Sequence, residues 1–89
     1  MATVDPVAQR SGRDIVTVTG RVVSIEVQPR NAQPTLTARI SDGTGFVDAI
    51  FQGRRGIPGV SAGARITVAG RLSTTEATPQ LFNPRFELG

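Results

Sequence analysis

A chain of 89 residues supports one domain, near the small end of what folds without staples, and has no apolar run near the ~20 residues that span a bilayer. It contains no cysteine and no histidine, and its seven carboxylates are scattered, so disulfides, thiolate metal sites and the commonest general base are excluded; neither an enzyme nor a cofactor is expected. The formal net charge is only +3, and the pI near 11.4 reflects basic residues that are all arginine, with nothing else titrating between them and the carboxylates.

Residues 1–13 (MATVDPVAQRSGR) lack a sustained period and contain Pro6 and Gly12, which reads as a flexible arm ahead of a domain over 14–89. They hold no signal-peptide h-region, so a soluble, cytoplasmic protein is expected. Residues 14–27 read as a long strand whose alternation changes phase midway. Val16 and Val18 share one parity, Val23, Ile25 and Val27 the other, and Gly20 stands just before the switch. A strand that changes its buried face around a glycine is bent or bulged, as at a barrel corner. Residues 28–34 (QPRNAQP), fenced by prolines, read as a loop.

Residues 35–52 (TLTARISDGTGFVDAIFQ) form two alternating runs joined by a Gly-rich polar turn, the pattern of a hairpin. With Gly43 and Thr44 in the turn, Ser41 pairs with Phe46, Ile40 with Val47, Arg39 with Asp48, Ala38 with Ala49, Thr37 with Ile50 and Leu36 with Phe51. Leu36, Ala38, Ile40, Val47, Ala49 and Phe51 then share an apolar face. Thr35, Thr37, Arg39, Ser41, Phe46, Asp48, Ile50 and Gln52 occupy the other. Slipping by one residue would scramble both faces, which specifies the register.

Residues 53–63 (GRRGIPGVSAG) are too rich in glycine for more than one helical turn, although Ile57 and Val60 can anchor them over a core. Arg54 and Arg55 read as solvated charges on this connection. Residues 64–72 alternate with Ile66, Val68 and Leu72 inward and Arg65, Thr67 and Arg71 outward. After a polar loop over 73–79, residues 80–88 read as a last strand with Phe82, Pro84, Phe86 and Leu88 on one parity, Phe82 and Phe86 being assigned to the core. Pro84 cannot donate to a ladder, so this strand must be unpaired or bulged there. VTVTGRV over 16–22 is echoed by ITVAGRL over 66–72. Two strands meeting the same geometric demand explain the echo, with Gly20 and Gly70 expected at bends and the two strands expected to pair and close a barrel.

One long bent strand, a hairpin, an irregular connection and two further strands, with long loops after the first and fourth, lay out an all-β, five-stranded Greek-key barrel with little or no helix between strands three and four. VTGRVVSI, ARISDGTGFVDAIF and AGARITVAGRL resemble the anticodon-type OB family found in aminoacyl-tRNA synthetases, the DNA polymerase III alpha subunit and the wedge of RecG-type helicases. PQLFNPRFEL resembles the wedge version and small bacterial OB proteins that stand alone. The resemblance spans residues 15–88 and departs from the family in its short, Gly-rich connection and its thin aromatic content. It implies binding of single-stranded DNA or RNA with little sequence preference. Arg21, Arg30, Arg39, Arg71 and Arg85 would track phosphates, Phe46 would stack a base, and Thr35, Thr37, Ser41 and Gln52 would offer hydrogen bonds. Arg39 can alternatively pair with Asp48 opposite it. A protein partner docking on the Phe46 and Ile50 face or the edge near Pro84 is the other reading, with the oligomeric state open.

Overall fold

The computed structural model describes residues 15–30, 33–74 and 76–89, so the arm over 1–13 lies outside the described residues. Strands are β1 (Ile15–Arg30), β2 (Gln33–Ser41), β3 (Phe46–Gln52), β4 (Arg65–Ser73), β5 (Gln80–Phe82) and β6 (Arg85–Leu88), and no described residue is helical. The β2–β3 hairpin has the register that the alternation dictates, from Thr35 opposite Gln52 to Ser41 opposite Phe46. The Asp42 carboxylate closes the turn by accepting from the backbone N–H of Thr44 and Gly45, at 2.8 and 3.1 Å. Gly43 supplies the positive φ of 91° that the turn requires. Leu36, Ala38, Ile40, Val47, Ala49 and Phe51 all point into the core and are buried.

β1 bridges β4 and β2 within one continuous sheet. It pairs antiparallel with β4 from Ile15 to Arg21 and with β2 from Arg21 to Arg30. The change of buried face falls at a bulge between Val22 and Ser24, a few residues beyond Gly20. Val16, Val18 and Val22 are buried, Val23 is extruded at the bulge, and Ile25 packs against the core from the new phase. Gly20 has a separate duty: a Cβ there would fall on the backbone carbonyl of Ser41, inside van der Waals contact. The proline-fenced loop is shorter than expected, because β1 runs on to Arg30 and β2 starts at Gln33, with Pro29 opposite Pro34.

The echoed segments pair with each other about Val18 opposite Val68, so β1 and β4 are neighbours. Gly70, by contrast, marks no bulge. Pairing runs without interruption from Arg21 opposite Arg65 to Ile15 opposite Arg71, and a Cβ at Gly70 would meet Pro84 at an ordinary 3.6 Å. The expected last strand is broken into β5 and β6 around Asn83, whose φ of 47° is left-handed, and buried Pro84. β5 pairs parallel with β3 and antiparallel with β4, which closes a five-stranded ring in the order β1, β2, β3, β5, β4 and back to β1. β6 extends the outside of β4.

The break also flips the parity. Leu81 is fully buried and Phe82 faces solvent, which corrects the assignment of Phe82 to the core. Phe86 packs partly buried against the core, with its ring edge-on to Phe51 at 5.5 Å. The connection over 53–64 caps the ring with Ile57 and Val60, both buried.

Candidate nucleic-acid interface

Residues opposite one another in a ladder point to the same face, so the outer wall is read in rows across the strands. One row runs Glu26, Thr37, Ile50, Phe82, and the next runs Ser24, Arg39, Asp48, Gln80. Further rows are Gln28, Thr35, Gln52 and, at the other end, Arg65, Arg21, Ser41, Phe46. Two aromatic rings therefore stand on one wall. Phe46 is 50 % exposed and Phe82 is 48 % exposed, and strand geometry separates their positions by roughly 14 Å. Ile50 lies on this wall but is buried, with the neighbouring backbone N–H of Asn83 bonded to its carbonyl at 2.6 Å.

Between the rings, the Arg39 guanidinium makes a two-pronged bond to Asp48, from Nε to Oδ1 at 2.9 Å and from Nη2 to Oδ2 at 3.2 Å. Nη2 also reaches Thr78 Oγ1 at 3.5 Å. Asp48, by hydrogen bonding and then by its charge, holds the Arg39 pKa above its ordinary value, and Glu26 adds to this. Ser24, Glu26, Thr37, Arg39 and Asp48 line a small hollow here of about 180 Å³. Its two carboxylates outnumber its one cation. Arg39 thus takes the pairing that its place opposite Asp48 allowed, with Nη1 left unbonded among the described residues.

The other expected site residues are scattered. Thr37 is half-buried on the wall, in the row of Phe82 with Ile50 between them. Ser41 Oγ accepts from the N–H of Gly43 at 3.3 Å. Thr35 is only 7 % exposed, between Gln28 and Gln52 in its row, which corrects its expected role as an open hydrogen-bonding group. The amide of Asn83 clasps Gln52: Oδ1 accepts from the Gln52 backbone N–H at 2.9 Å, and Nδ2 donates to its Oε1 at 3.1 Å. The Gln52 side-chain NH₂ has no partner among the described residues. Arg21 donates to the carbonyl of Gly63 at 3.1 Å. The Arg30 side chain lies outside the described residues.

Arg71 and Arg85 are not brought to this wall. Arg71 sits opposite Ile15 and Arg85 opposite Ala69, on the outer face of β1, β4 and β6. What the sequence reading missed is Phe82. Asn-Pro at 83 and 84 was the available signal, since a helix- and ladder-breaking pair interrupts any parity carried across it.

A closed ring of five strands, wound as a Greek key with its first strand bent to pair with both β2 and β4 and a parallel β3–β5 closure, is an OB-fold. Comparison with family models agrees over nearly the whole chain: residues 16–88 match the anticodon-type family described as "OB-fold nucleic acid binding domain", and the chain belongs to that family. Comparison with curated proteins found no match.

Proposed function

We propose that the outer β2–β3–β5 wall binds single-stranded DNA or RNA with little sequence preference and performs no chemistry on it. The observation that carries this reading is the pair of half-exposed rings, Phe46 and Phe82, on one wall of a nucleic-acid-binding barrel. A base offers its π-face to such a ring only when it is out of a duplex stack, and every base has one, so stacking favours single strands and tolerates any sequence. Thr37 and the Gln52 NH₂ supply hydrogen bonds to base edges. Arg39 Nη1 and Arg21, in adjacent rows of the wall, supply phosphate contacts. The absence of histidine and cysteine supports a binding role over a catalytic one.

Fluorescence-anisotropy titration of a short unstructured oligonucleotide tests this. Phe46→Ala and Phe82→Ala should each lose about 1–3 kcal/mol of affinity, while the Tyr variants keep most of it because the ring face survives. Melting temperatures should hardly move, since both rings lie outside the core. With two cations facing the strand, log K should fall with log salt at a slope of about −1.4. Parent-like binding by both Ala variants would remove this wall as the nucleic-acid site and favour a protein docking there.

A further inference from the structure

The described cations are concentrated away from the paired carboxylates of the stacking wall. On the outer face of β1, β4 and β6, ladder partners place Arg21 opposite Arg65, Arg71 opposite Ile15, Arg85 opposite Ala69 and Glu87 opposite Thr67. That is four arginines against one glutamate, a local charge of +3, whereas Arg39 faces Glu26 and Asp48 on the other wall. Like charges directly opposite each other destabilise a ladder, yet Arg21 and Arg65 are so placed, both exposed. The side chains of Arg65, Arg71 and Arg85 make no hydrogen bond or ion pair among the described residues, and all three are exposed. The ground between them is mostly small side chains, with exposed Ile15 opposite Arg71 and Phe86 in the lining of its hollow as apolar components. Thr17, Thr19, Thr67 and Ala69 pave it, Thr19 and Thr67 are joined hydroxyl to hydroxyl at 2.8 Å, and an open hollow of about 630 Å³ lies against Arg85 and Glu87. Small side chains with cations at the margins let a polyanion lie close to the sheet.

The two walls are also continuous. The row Phe46, Ser41, Arg21, Arg65 crosses from β3 to β4 without a break, through Arg21, the residue of β1 paired with both β2 and β4. From this the geometry points to a second contact surface, in which the sugar-phosphate backbone of a longer single strand leaves the stacking wall along this row. It continues over the β1–β4–β6 face, with Arg65, Arg71 and Arg85 neutralising its phosphates and the threonine hydroxyls donating to them. The inference rests on the single-strand reading above for its ligand, but on different residues for its site.

The test compares two oligodeoxythymidylates, one of about 6 nucleotides and one on the order of 30, longer than the ~4–16 that one OB barrel covers. Arg65→Gln, Arg71→Gln and Arg85→Gln, singly and combined, should flatten the salt slope for the long strand by about 0.7 per arginine, about 2 in all. The short strand should bind the variants like the parent. Arg54→Gln/Arg55→Gln, which removes exposed charge from the connection, should leave both slopes alone. An unchanged long-strand slope in the combined variant overturns the inference and leaves this face to an acidic protein segment. Equal flattening per charge in the Arg54/Arg55 variant overturns it too, by reducing the effect to net charge. The two readings fail separately. If the phenylalanine variants bind like the parent while the arginine variants flatten the slope, the stacking wall is refuted and this face stands. If the parent binds neither strand, both are refuted.

Discussion

One methyl group has opposite meanings at Gly20 and Gly70, although both stand in the same echoed sequence. At Gly20 the new carbon would meet the backbone of Ser41, which cannot swing aside as a side chain can, so β1 would have to leave β2 at the corner. Gly20→Ala should therefore destabilise by more than about 2 kcal/mol, in the range of overpacked cores. At Gly70 the carbon meets Pro84 and Leu81 at 3.6 to 3.8 Å, ordinary contact, and relieves unfolded-chain entropy. Gly70→Ala should be neutral or gain up to about 1 kcal/mol. Urea denaturation of the two variants reads this directly, and equal losses would contradict the geometry.

Among the elements, the hairpin was the most legible and the last strand the least. Alternation and a single Gly-rich turn determine the β2–β3 register, because only one pairing puts six apolar residues on one face. The β1–β4 pairing was legible from the echo. Parity fails where the backbone departs from the two-residue repeat, and it did so twice. At Val23 a bulge carries the phase change that the glycine upstream had suggested. At Asn83 a left-handed residue separates β5 from β6, so Phe82 and Phe86 belong to different surfaces. The same limit explains the site. Facing partners such as Arg39 and Asp48 follow from register, whereas the placement of Arg71 and Arg85 on another wall follows from barrel closure, which no local pattern records. Asn83 holds that break by two means, its tolerance of positive φ and its clasp on Gln52. Asn83→Gly keeps the first and loses the second, while Asn83→Ala loses both. The alanine variant should be less stable than the glycine variant by about 1 kcal/mol in thermal or urea melts.

Across the whole molecule, the barrel is held unevenly. β1 meets β2 over nine residue pairs and β4 over seven, but β5 is held by only three pairs to β3 (Asp48 with Gln80, Ala49 with Leu81, Ile50 with Phe82) and by two to β4 (Leu72 with Leu81, Ser73 with Gln80). β5 is thus the least-held strand of the ring and the natural place for it to part, since local opening in proteins follows the elements with fewest contacts. The seam it forms with β3 is flanked by the residues of the stacking wall: Asp48 and Ile50 on one lip, Phe82 on the other. A strand bound across Phe46 and Phe82 would therefore bridge the two lips and act as a clasp. Amide hydrogen exchange should show the N–H groups of residues 80–82 exchanging ahead of those in the β2–β3 hairpin in the free protein. A saturating oligonucleotide should slow them selectively, since a ligand that binds only the closed ring lowers the population of the open one. Uniform protection across all strands would mean that the barrel opens only as a whole. In a ring that parts at its binding wall, the occupied site is also the fastening, and the protein is most firmly shut when it is in use.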